Sequence, residues 1–168
     1  KKFCNVHALL FQSALEKAPT DDTFPSHPVY LFKMENREIE KLVDSIKKAV
    51  EKPELQRLAA LKKTLKELLL RLRDIDIHYQ RKEHLLFPFL EKAGFMGPSK
   101  VMWGKHNEIR GMLKAAIEGL DAVSSVAEFD KYRSAALAPL LEEVPGMVFK
   151  EENILFPASL EKLQASDW

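Results

Sequence analysis

Apolar residues recur at steps of three and four along most of the chain, a spacing that predicts helices with one buried face. The clearest stripe is formed by Leu58, Leu61, Leu65, Leu68, Leu72 and Ile75. No stretch shows the two-residue alternation of apolar and polar positions that marks β-strands. We therefore expect an all-α fold.

Prolines, glycines and polar loops set the expected helix boundaries. The predicted elements are a short helix at 5–17, a loop at 18–27 and four longer helices at about 28–50, 54–92, 97–120 and 128–162. Pro28 opens the first long helix, where the missing N–H costs no hydrogen bond. Within the last long helix, Pro139 and Pro145 predict a kink or a break.

The helix lengths and connections define the expected architecture. Long helices joined by short connections pack as antiparallel neighbours, which predicts an up-down four-helix bundle over residues 28–168. Residues 1–27 would then be the N-terminal helix and loop that end a preceding domain. Because the chain opens without a methionine and stops abruptly, we expect it to be one module of a longer protein.

The two halves of the predicted bundle resemble each other at an offset of about 70 residues. Residues 82–88 match residues 151–157, and residues 28–39 match residues 98–109. Two similar helix pairs packed face to face give pseudo-twofold symmetry, so matching polar positions should face each other near the axis. These positions are Asn36, His78, Lys82, His106, Met147 and Glu151.

Composition excludes several classes of function. Lys and Arg number 26 against 25 Asp and Glu, so no strong field attracts nucleic acid or an anionic membrane. No apolar run approaches the ~20 residues that a membrane span needs. Cys4 is the only cysteine, which favours a reducing cytoplasm. No nucleophile and base stand in a catalytic arrangement, so we do not expect an enzyme.

Several short motifs together resemble the hemerythrin (HHE cation-binding) family over about residues 28–164. They are Glu35-Asn36-Arg37, Arg81-Lys82-Glu83, Met102-Trp103-Gly104 and Lys150-Glu151-Glu152-Asn153. In that family each helix pair gives a histidine from its first helix and a His-x-x-x-Glu from its second, and these hold two irons. A closer resemblance is to the subfamily in which the bundle lies between a small domain of unknown function and a PAS sensor domain.

Three of the six ligand positions that the resemblance implies are changed. Asn36 stands in place of the first histidine, Lys82 in place of a glutamate, and Met147 in place of another histidine. The retained positions are His78, His106 and Glu151. Because a lysine repels metal ions, we do not expect an ordinary oxygen-carrying di-iron centre unless Glu83 replaces Lys82 as a ligand.

The first interpretation of this altered core is a single non-haem iron. His78, His106 and Glu151 form a set of two histidines and one carboxylate, which leaves open positions for O₂ or NO. The residues that would complete the set are Glu83, Glu35 and His27.

A second interpretation is a b-type haem. Histidines or a histidine and a methionine on facing helices of a bundle can serve as axial ligands. His78 with His106, or His106 with Met147, would take this role, and Lys82 and Glu151 would have to move aside or contact the propionates.

A third interpretation is a metal-free bundle. A buried lysine is tolerated only with a partner of opposite charge. Lys82 and Glu151 would then form a buried ion pair, with Asn36 and the histidines hydrogen-bonded around it.

Other polar residues have a structural interpretation beside the functional one. His27 either caps the helix that begins at Pro28 or reaches the open end of the bundle as a ligand. Cys4 and His7 share a helical face and form either a soft metal pair or a buried thiol beside a structural histidine. His84 is expected on the surface.

Two functions fit this pattern. One is a sensory or regulatory module whose iron or haem responds to O₂, NO or redox state and acts on an adjacent domain such as PAS. The other is a protein that stores iron or helps to repair iron centres. A sensor should keep its metal through redox cycling, whereas a donor should release it to a chelator.

Overall fold

The computed structural model of the protein describes residues 25–51 and 58–168, and these form helices without any β-strand. The first bundle helix is α1 (Pro28–Val50). The second consists of α2 (Leu58–Leu72), α3 (Ile75–Arg81), a π-helical turn (Lys82–Leu86) and α4 (Phe87–Lys92). The third is α5 (Gly97–Asp121). The fourth consists of α6 (Val126–Tyr132), a π-helical turn (Arg133–Leu137), α7 (Ala138–Lys150), a further π-helical turn (Glu151–Leu155) and α8 (Phe156–Lys162), with a 3₁₀ turn at Ala165–Asp167.

The four bundle helices form a closed ring. α1 packs against α2, α2 against α5, α5 against α7, and α7 back against α1. Each bundle helix therefore touches its neighbours in chain order, and the first also touches the last. This arrangement confirms the prediction of an all-α four-helix bundle.

The inward face of α1 shows how the sequence builds this ring. Its buried residues recur at steps of three and four: Val29, Phe32, Asn36, Ile39, Val43, Ile46 and Val50. Asn36 is the one polar residue in this stripe, so it lies inside the bundle. At the start of α1, Nδ1 of His27 accepts a hydrogen bond of 3.1 Å from the N–H of Val29. His27 is thus the cap of the helix that Pro28 opens.

The second bundle helix is interrupted between α2 and α3, where the sequence predicted one continuous helix. The N–H of Asp74 bonds to the carbonyl of Arg71 at 3.1 Å, and the same three-residue step recurs at Asp76. Such steps belong to the tighter 3₁₀ conformation. The apolar stripe gave no sign of the interruption, because Leu72 and Ile75 are themselves three residues apart and both are buried.

Each π-helical turn in the described residues ends two residues before a proline. The turns end at Leu86, Leu137 and Leu155, and the prolines are Pro88, Pro139 and Pro157. A proline removes one donor of the α-helical ladder, and its ring clashes with the carbonyl four residues earlier. In a π-helical turn a carbonyl bonds instead to the N–H five residues later, as the carbonyl of Lys82 does with Phe87. The helix is therefore widened just before each of these prolines.

The fourth bundle helix is interrupted at one of its two interior prolines. The turn Arg133–Leu137 precedes Pro139, in agreement with the prediction. α7 continues through Pro145, so of the kink or break expected there, the break does not occur. Packing of α7 against both α1 and α5 holds the helix together there and outweighs the loss of one hydrogen bond.

Three predictions fall on parts of the chain outside the described residues. They concern the N-terminal helix at 5–17, the Cys4–His7 pair, and the start of the second bundle helix near residue 54. None of the described helices is both long enough and apolar enough to span a bilayer.

Candidate functional site

The six matching positions of the internal repeat all lie inside the bundle. Asn36, Lys82 and His106 have no exposed surface, and the other three positions, His78, Met147 and Glu151, are 4% exposed or less. The prediction that these positions face the interior is therefore confirmed. Five of the six side chains are polar, so the middle of the core contains a polar cluster.

A buried ion pair lies at the centre of this cluster. Nζ of Lys82, from the start of the first π-helical turn, donates a hydrogen bond to Oε1 of Glu151, from the start of the last one. Neither side chain is more than 1% exposed. The contact joins the second bundle helix to the fourth, as the metal-free interpretation of the sequence predicted.

The charges of this pair stabilise each other. Burial alone would raise the pKa of Glu151, but the ammonium of Lys82 and the contact with His78 lower it to about 2. Burial lowers the pKa of Lys82, and the negative charge and hydrogen bond of Glu151 oppose this shift. The contact between Nζ and Oε1 is that of an ion pair, and removing either charge would leave the other without its partner.

His78 lies between two carboxylates. Its Nδ1 lies 2.7 Å from Oε2 of Glu35, and its Nε2 lies 3.0 Å from Oε2 of Glu151. Arg81 donates to the other oxygen of Glu35. A neutral imidazole has one N–H, so it can donate to only one of these carboxylates, and the other contact needs a second proton or another cation.

His106 also contacts a carboxylate that is held by an arginine. Its Nδ1 lies 2.7 Å from Oε1 of Glu83. The guanidinium of Arg110 donates to both oxygens of Glu83, at 3.0 and 2.9 Å, and to Asp76 at 2.5 Å. Each core histidine thus has a carboxylate on Nδ1, and an arginine fixes each of these carboxylates.

The contact with Glu83 determines which nitrogen of His106 carries the proton. Because a carboxylate only accepts hydrogen bonds, Nδ1 is the donor and Nε2 keeps its lone pair. Burial and the nearby charge of Lys82 lower the pKa of His106 to about 4, so the ring is neutral at pH 7. Nε2 is buried and has no hydrogen-bond partner among the described residues. A carboxylate on one nitrogen and a free lone pair on the other is how proteins orient a metal-binding histidine.

Asn36 shows the same arrangement at the matching position of the first half. Its Nδ2 donates to Oε1 of Glu152 at 3.1 Å, as Nδ1 of His106 does to Glu83. Its Oδ1 is buried, and no described residue donates to it. The core therefore contains two acceptors, from Asn36 and His106, that lack a donor.

Tyr79 connects Lys82 to His106. Its ring stacks on the imidazole of His106 with 3.9 Å between centroids and 11° between planes. Nζ of Lys82 lies 4.8 Å from the centroid of the same ring, a distance typical of a cation–π contact. Burial, together with the negative charge of Glu151, raises the pKa of Tyr79 well above its usual value.

A cavity of about 360 Å³ lies between α1 and the interruption that separates α2 from α3. Its wall includes His78, Glu35 and Arg81, so this side of the polar cluster is reached from the surface of the bundle. His106 does not line this cavity.

The structure separates some of the ligands that the sequence predicted as one set. Glu151 contacts His78, whereas His106 is connected to Glu151 through Lys82 and Tyr79. No three His, Cys, Asp or Glu side chains in the described residues are grouped closely enough to hold one metal ion. The predicted set of His78, His106 and Glu151 is therefore not a single group in this arrangement.

The remaining predicted residues have other neighbours. Glu83 and Glu35 contact Nδ1 of the two histidines and so orient the rings. His27 caps α1, and its ring lies 4.6 Å from that of Trp168. Met147 is buried, and His84 is exposed, the latter as expected. Sequence reasoning missed three side chains of the site: Arg81, Arg110 and Tyr79. The spacing of Arg110, four residues after His106 on one helical face, was the available signal for it.

A family model describing the hemerythrin HHE cation binding domain matches residues 27–159. The chain belongs to this family. The match covers all six positions of the internal repeat. No curated protein matches the chain.

The residues of this HHE domain do not fit two metal ions. The ammonium of Lys82 lies on Glu151, the glutamate position that the family resemblance finds unchanged, and a metal ion beside it would meet a like charge. For one metal ion, unpaired acceptors are present, although no three His, Cys, Asp or Glu side chains among the described residues form one group. The imidazole of His106 is neutral and oriented, and its Nε2 and the Oδ1 of Asn36 are buried acceptors without a donor.

Proposed function

We propose that this HHE domain is a regulatory module that binds one metal ion, iron, in its core and responds to redox state, O₂ or NO. The observation that supports the proposal is the free lone pair of His106 Nε2, which is buried and held in place by Glu83 and Arg110. A bound iron would supply a redox couple and an open position for a small gas.

The chain's own residues have distinct roles in this proposal. His106 supplies a neutral nitrogen, and Glu83 fixes the direction of its lone pair. His78, which lines the cavity, and Glu151 would supply further ligand atoms by moving toward the ion that His106 binds, since the three do not form one group in the structure. Asn36 contributes its carbonyl oxygen, which Glu152 orients. Arg81 and Arg110 keep Glu35 and Glu83 ionised and in place, since their charges favour the carboxylate form.

A regulatory role and an iron-storage role predict different metal retention. A sensor keeps its metal while the oxidation state changes, and transmits a change in helix packing to an adjacent domain, for which PAS is the proposed partner. A storage or repair protein releases its metal to an acceptor. The enclosed position of His106 and Glu151, with at most 1% exposure, favours retention.

Haem is a less fitting cofactor for the same residues. A haem needs a cavity beside its axial ligands, and neither the 360 Å³ cavity nor a second one of 290 Å³ is lined by His106 or Met147. The rings of Tyr79 and Phe87 lie nearly parallel to that of His106 and occupy the space beside it.

The test is metal analysis of the purified chain with a visible spectrum of its oxidised and reduced forms. We expect about one iron per chain and no Soret band. His106→Ala should lose the iron, whereas the control His84→Ala should keep it, because His84 is exposed and outside the cluster. A further incubation with a strong Fe(II) chelator distinguishes retention from release.

Other outcomes lead to different functions. A Soret band lost in His106→Ala would replace the iron centre by a haem. Iron that passes rapidly to the chelator would indicate storage or repair. A chain that takes up neither iron nor haem would contradict the proposal and leave a metal-free bundle held by Lys82 and Glu151, which the buried ion pair favours as the second candidate.

A further inference from the structure

We infer that the ammonium of Lys82 is an internal cation that occupies part of the metal site, so that a metal ion must displace it from Glu151 in order to bind. The inference rests on the proposed function in that it concerns the same site. It adds a specificity-determining residue: Lys82 sets how tightly, and how many, cations the core accepts.

The first support is the position of Lys82. Its side chain has no exposed surface, and its ammonium contacts Glu151 and the face of Tyr79. A lysine is seldom buried completely, because the desolvation of the ammonium costs several kcal/mol. Its presence at the centre of the bundle therefore requires surrounding groups that favour a positive charge.

The second support is the set of acceptors in the same polar cluster. Glu151 offers carboxylate oxygens, while Asn36 Oδ1 and His106 Nε2 are buried acceptors with no donor among the described residues. Glu152 and Glu83 orient these two groups in the same way in the two halves of the bundle. A carboxylate and two unpaired acceptors in one core favour a cation, and the ammonium of Lys82 is a cation that the chain itself provides.

The third support is that the two cations exclude each other. A carboxylate oxygen that accepts a short hydrogen bond from an ammonium has its charge neutralised, so it is a weak metal ligand. Two positive charges at neighbouring positions also repel strongly where water is excluded. Because the four-carbon stem of lysine is flexible, displacement of the ammonium from Glu151 by a metal ion would be a change of side-chain conformation.

The experiment compares Co(II) binding by the parent chain, Lys82→Met and the control Lys66→Met. Met keeps an unbranched apolar stem in the core but has no charge. Lys66 forms a surface ion pair with Asp121, with 2.7 Å between Nζ and Oδ1, and it is not part of the polar cluster. Co(II) is followed by its visible absorption under anaerobic conditions, and the number of ions per chain is measured by metal analysis.

We expect Lys82→Met to bind one Co(II) at least tenfold more tightly than the parent chain, whereas Lys66→Met binds like the parent. Without metal, Lys82→Met should unfold at a lower urea concentration, because Glu151 is left as a lone buried carboxylate. Co(II) should then raise that midpoint more in Lys82→Met than in the parent.

A second variant keeps the inference testable if Lys82→Met does not fold. Lys82→Met with Glu151→Gln removes both charges and nearly preserves the volume, and a buried ion pair replaced in this way is usually tolerated. This double variant should fold and should bind Co(II) at least tenfold more weakly than the parent, since it lacks the carboxylate ligand.

The outcomes separate this inference from the proposed function. If the parent binds no Co(II) but Lys82→Met does, the proposed function is wrong and the internal cation stands. If both bind equally well, the internal cation is wrong and the proposed function stands. If neither folded chain binds Co(II), both are wrong. Tight binding by the double variant would also overturn the inference.

Discussion

The two core histidines have similar partners but different surroundings. Both have a carboxylate on Nδ1, and an arginine fixes that carboxylate in each case. Nε2 of His78 faces Glu151, and the side of the ring next to Glu35 borders a cavity. Nε2 of His106 has no hydrogen-bond partner among the described residues, and its ring is stacked on Tyr79. Both rings are thus oriented through Nδ1, and they differ in whether a described residue contacts the nitrogen that faces the core.

The buried charge of Lys82 contributes to this difference between the surroundings of the two histidines. Lys82 pairs with Glu151 on the side of His78, and burial together with the charge of Lys82 lowers the pKa of His106 on the other side. On the side of His78, the charges of Lys82 and Glu151 are in contact with each other. On the side of His106, the lone pair of Nε2 has no partner among the described residues. The predictions below separate the two sides.

The largest effect is expected for Glu151→Gln. The change leaves Lys82 as a buried ammonium without a counter-charge and removes the partner of His78. We expect a loss of about 3–5 kcal/mol in the free energy of unfolding, measured with urea. The control Glu161→Gln, which breaks a surface pair with Lys162, should cost less than about 0.5 kcal/mol. Similar losses in the two variants would contradict a central role for the pair.

A pH effect of up to about 3 kcal/mol is expected from the side of His106. Its pKa falls from 6.5 to about 4 in the fold, so between these values the unfolded chain binds the proton and the folded chain does not. The contribution of His106 to the free energy of unfolding is therefore fully present above pH 6.5 and is lost as the pH falls toward 4. Urea unfolding across this range should show a smaller loss for His106→Gln than for His84→Gln. Equal slopes in the two variants would show that burial does not keep His106 neutral.

The two arginines provide a smaller, direct comparison of the two sides. Glu83 is 3% exposed, so Arg110→Met leaves a buried carboxylate with only His106 as partner and should cost about 2 kcal/mol. Arg81 is 49% exposed, and Arg81→Met should cost less than about 1 kcal/mol. Unfolding by urea measures both changes. A larger loss for Arg81→Met would mean that the side of His78 is the more dependent on its arginine.

The smallest effect is expected for Tyr79→Phe. The hydroxyl of Tyr79 is buried without a hydrogen-bond partner among the described residues, so its removal should be neutral or stabilising by less than about 1 kcal/mol. The stacked ring that joins Lys82 to His106 is kept. A clear loss of stability would indicate that the hydroxyl has a partner, such as an ordered water, and thus that water reaches the enclosed side.

The sequence was sufficient for the positions that repeat. The stripe of α1 continues through Asn36, and the match between the two halves placed Lys82 opposite Glu151, so the buried pair was predictable. The contacts that Nδ1 of His78 and His106 make with carboxylates were not predictable from the sequence. Arg110 lies 27 residues after Glu83, and its counterpart in the first half is not an arginine, so neither local spacing nor the repeat connected them.

Among the helix interruptions, too, some could be predicted from the sequence and others could not. A proline signals a lost hydrogen bond, but packing decides whether the helix widens, as before Pro139, or continues, as at Pro145. The interruption after Leu72 was invisible because three-residue and four-residue steps of apolar residues occur in both continuous and interrupted helices. Such features depend on contacts between helices, which a pattern along one helix does not contain.

The π-helical turn at Lys82–Leu86 makes the second bundle helix sensitive to residue number. It contains one residue more than the same stretch of an α-helix, and one residue corresponds to about 100° of rotation about the helix axis. Deleting one residue from this turn would leave His78 in the core but turn the buried Phe87 and Leu90 toward the surface. One extra residue therefore determines which side chains after Leu86 face the core. Alignments of related bundles should place their gaps here rather than in the flanking α-helices.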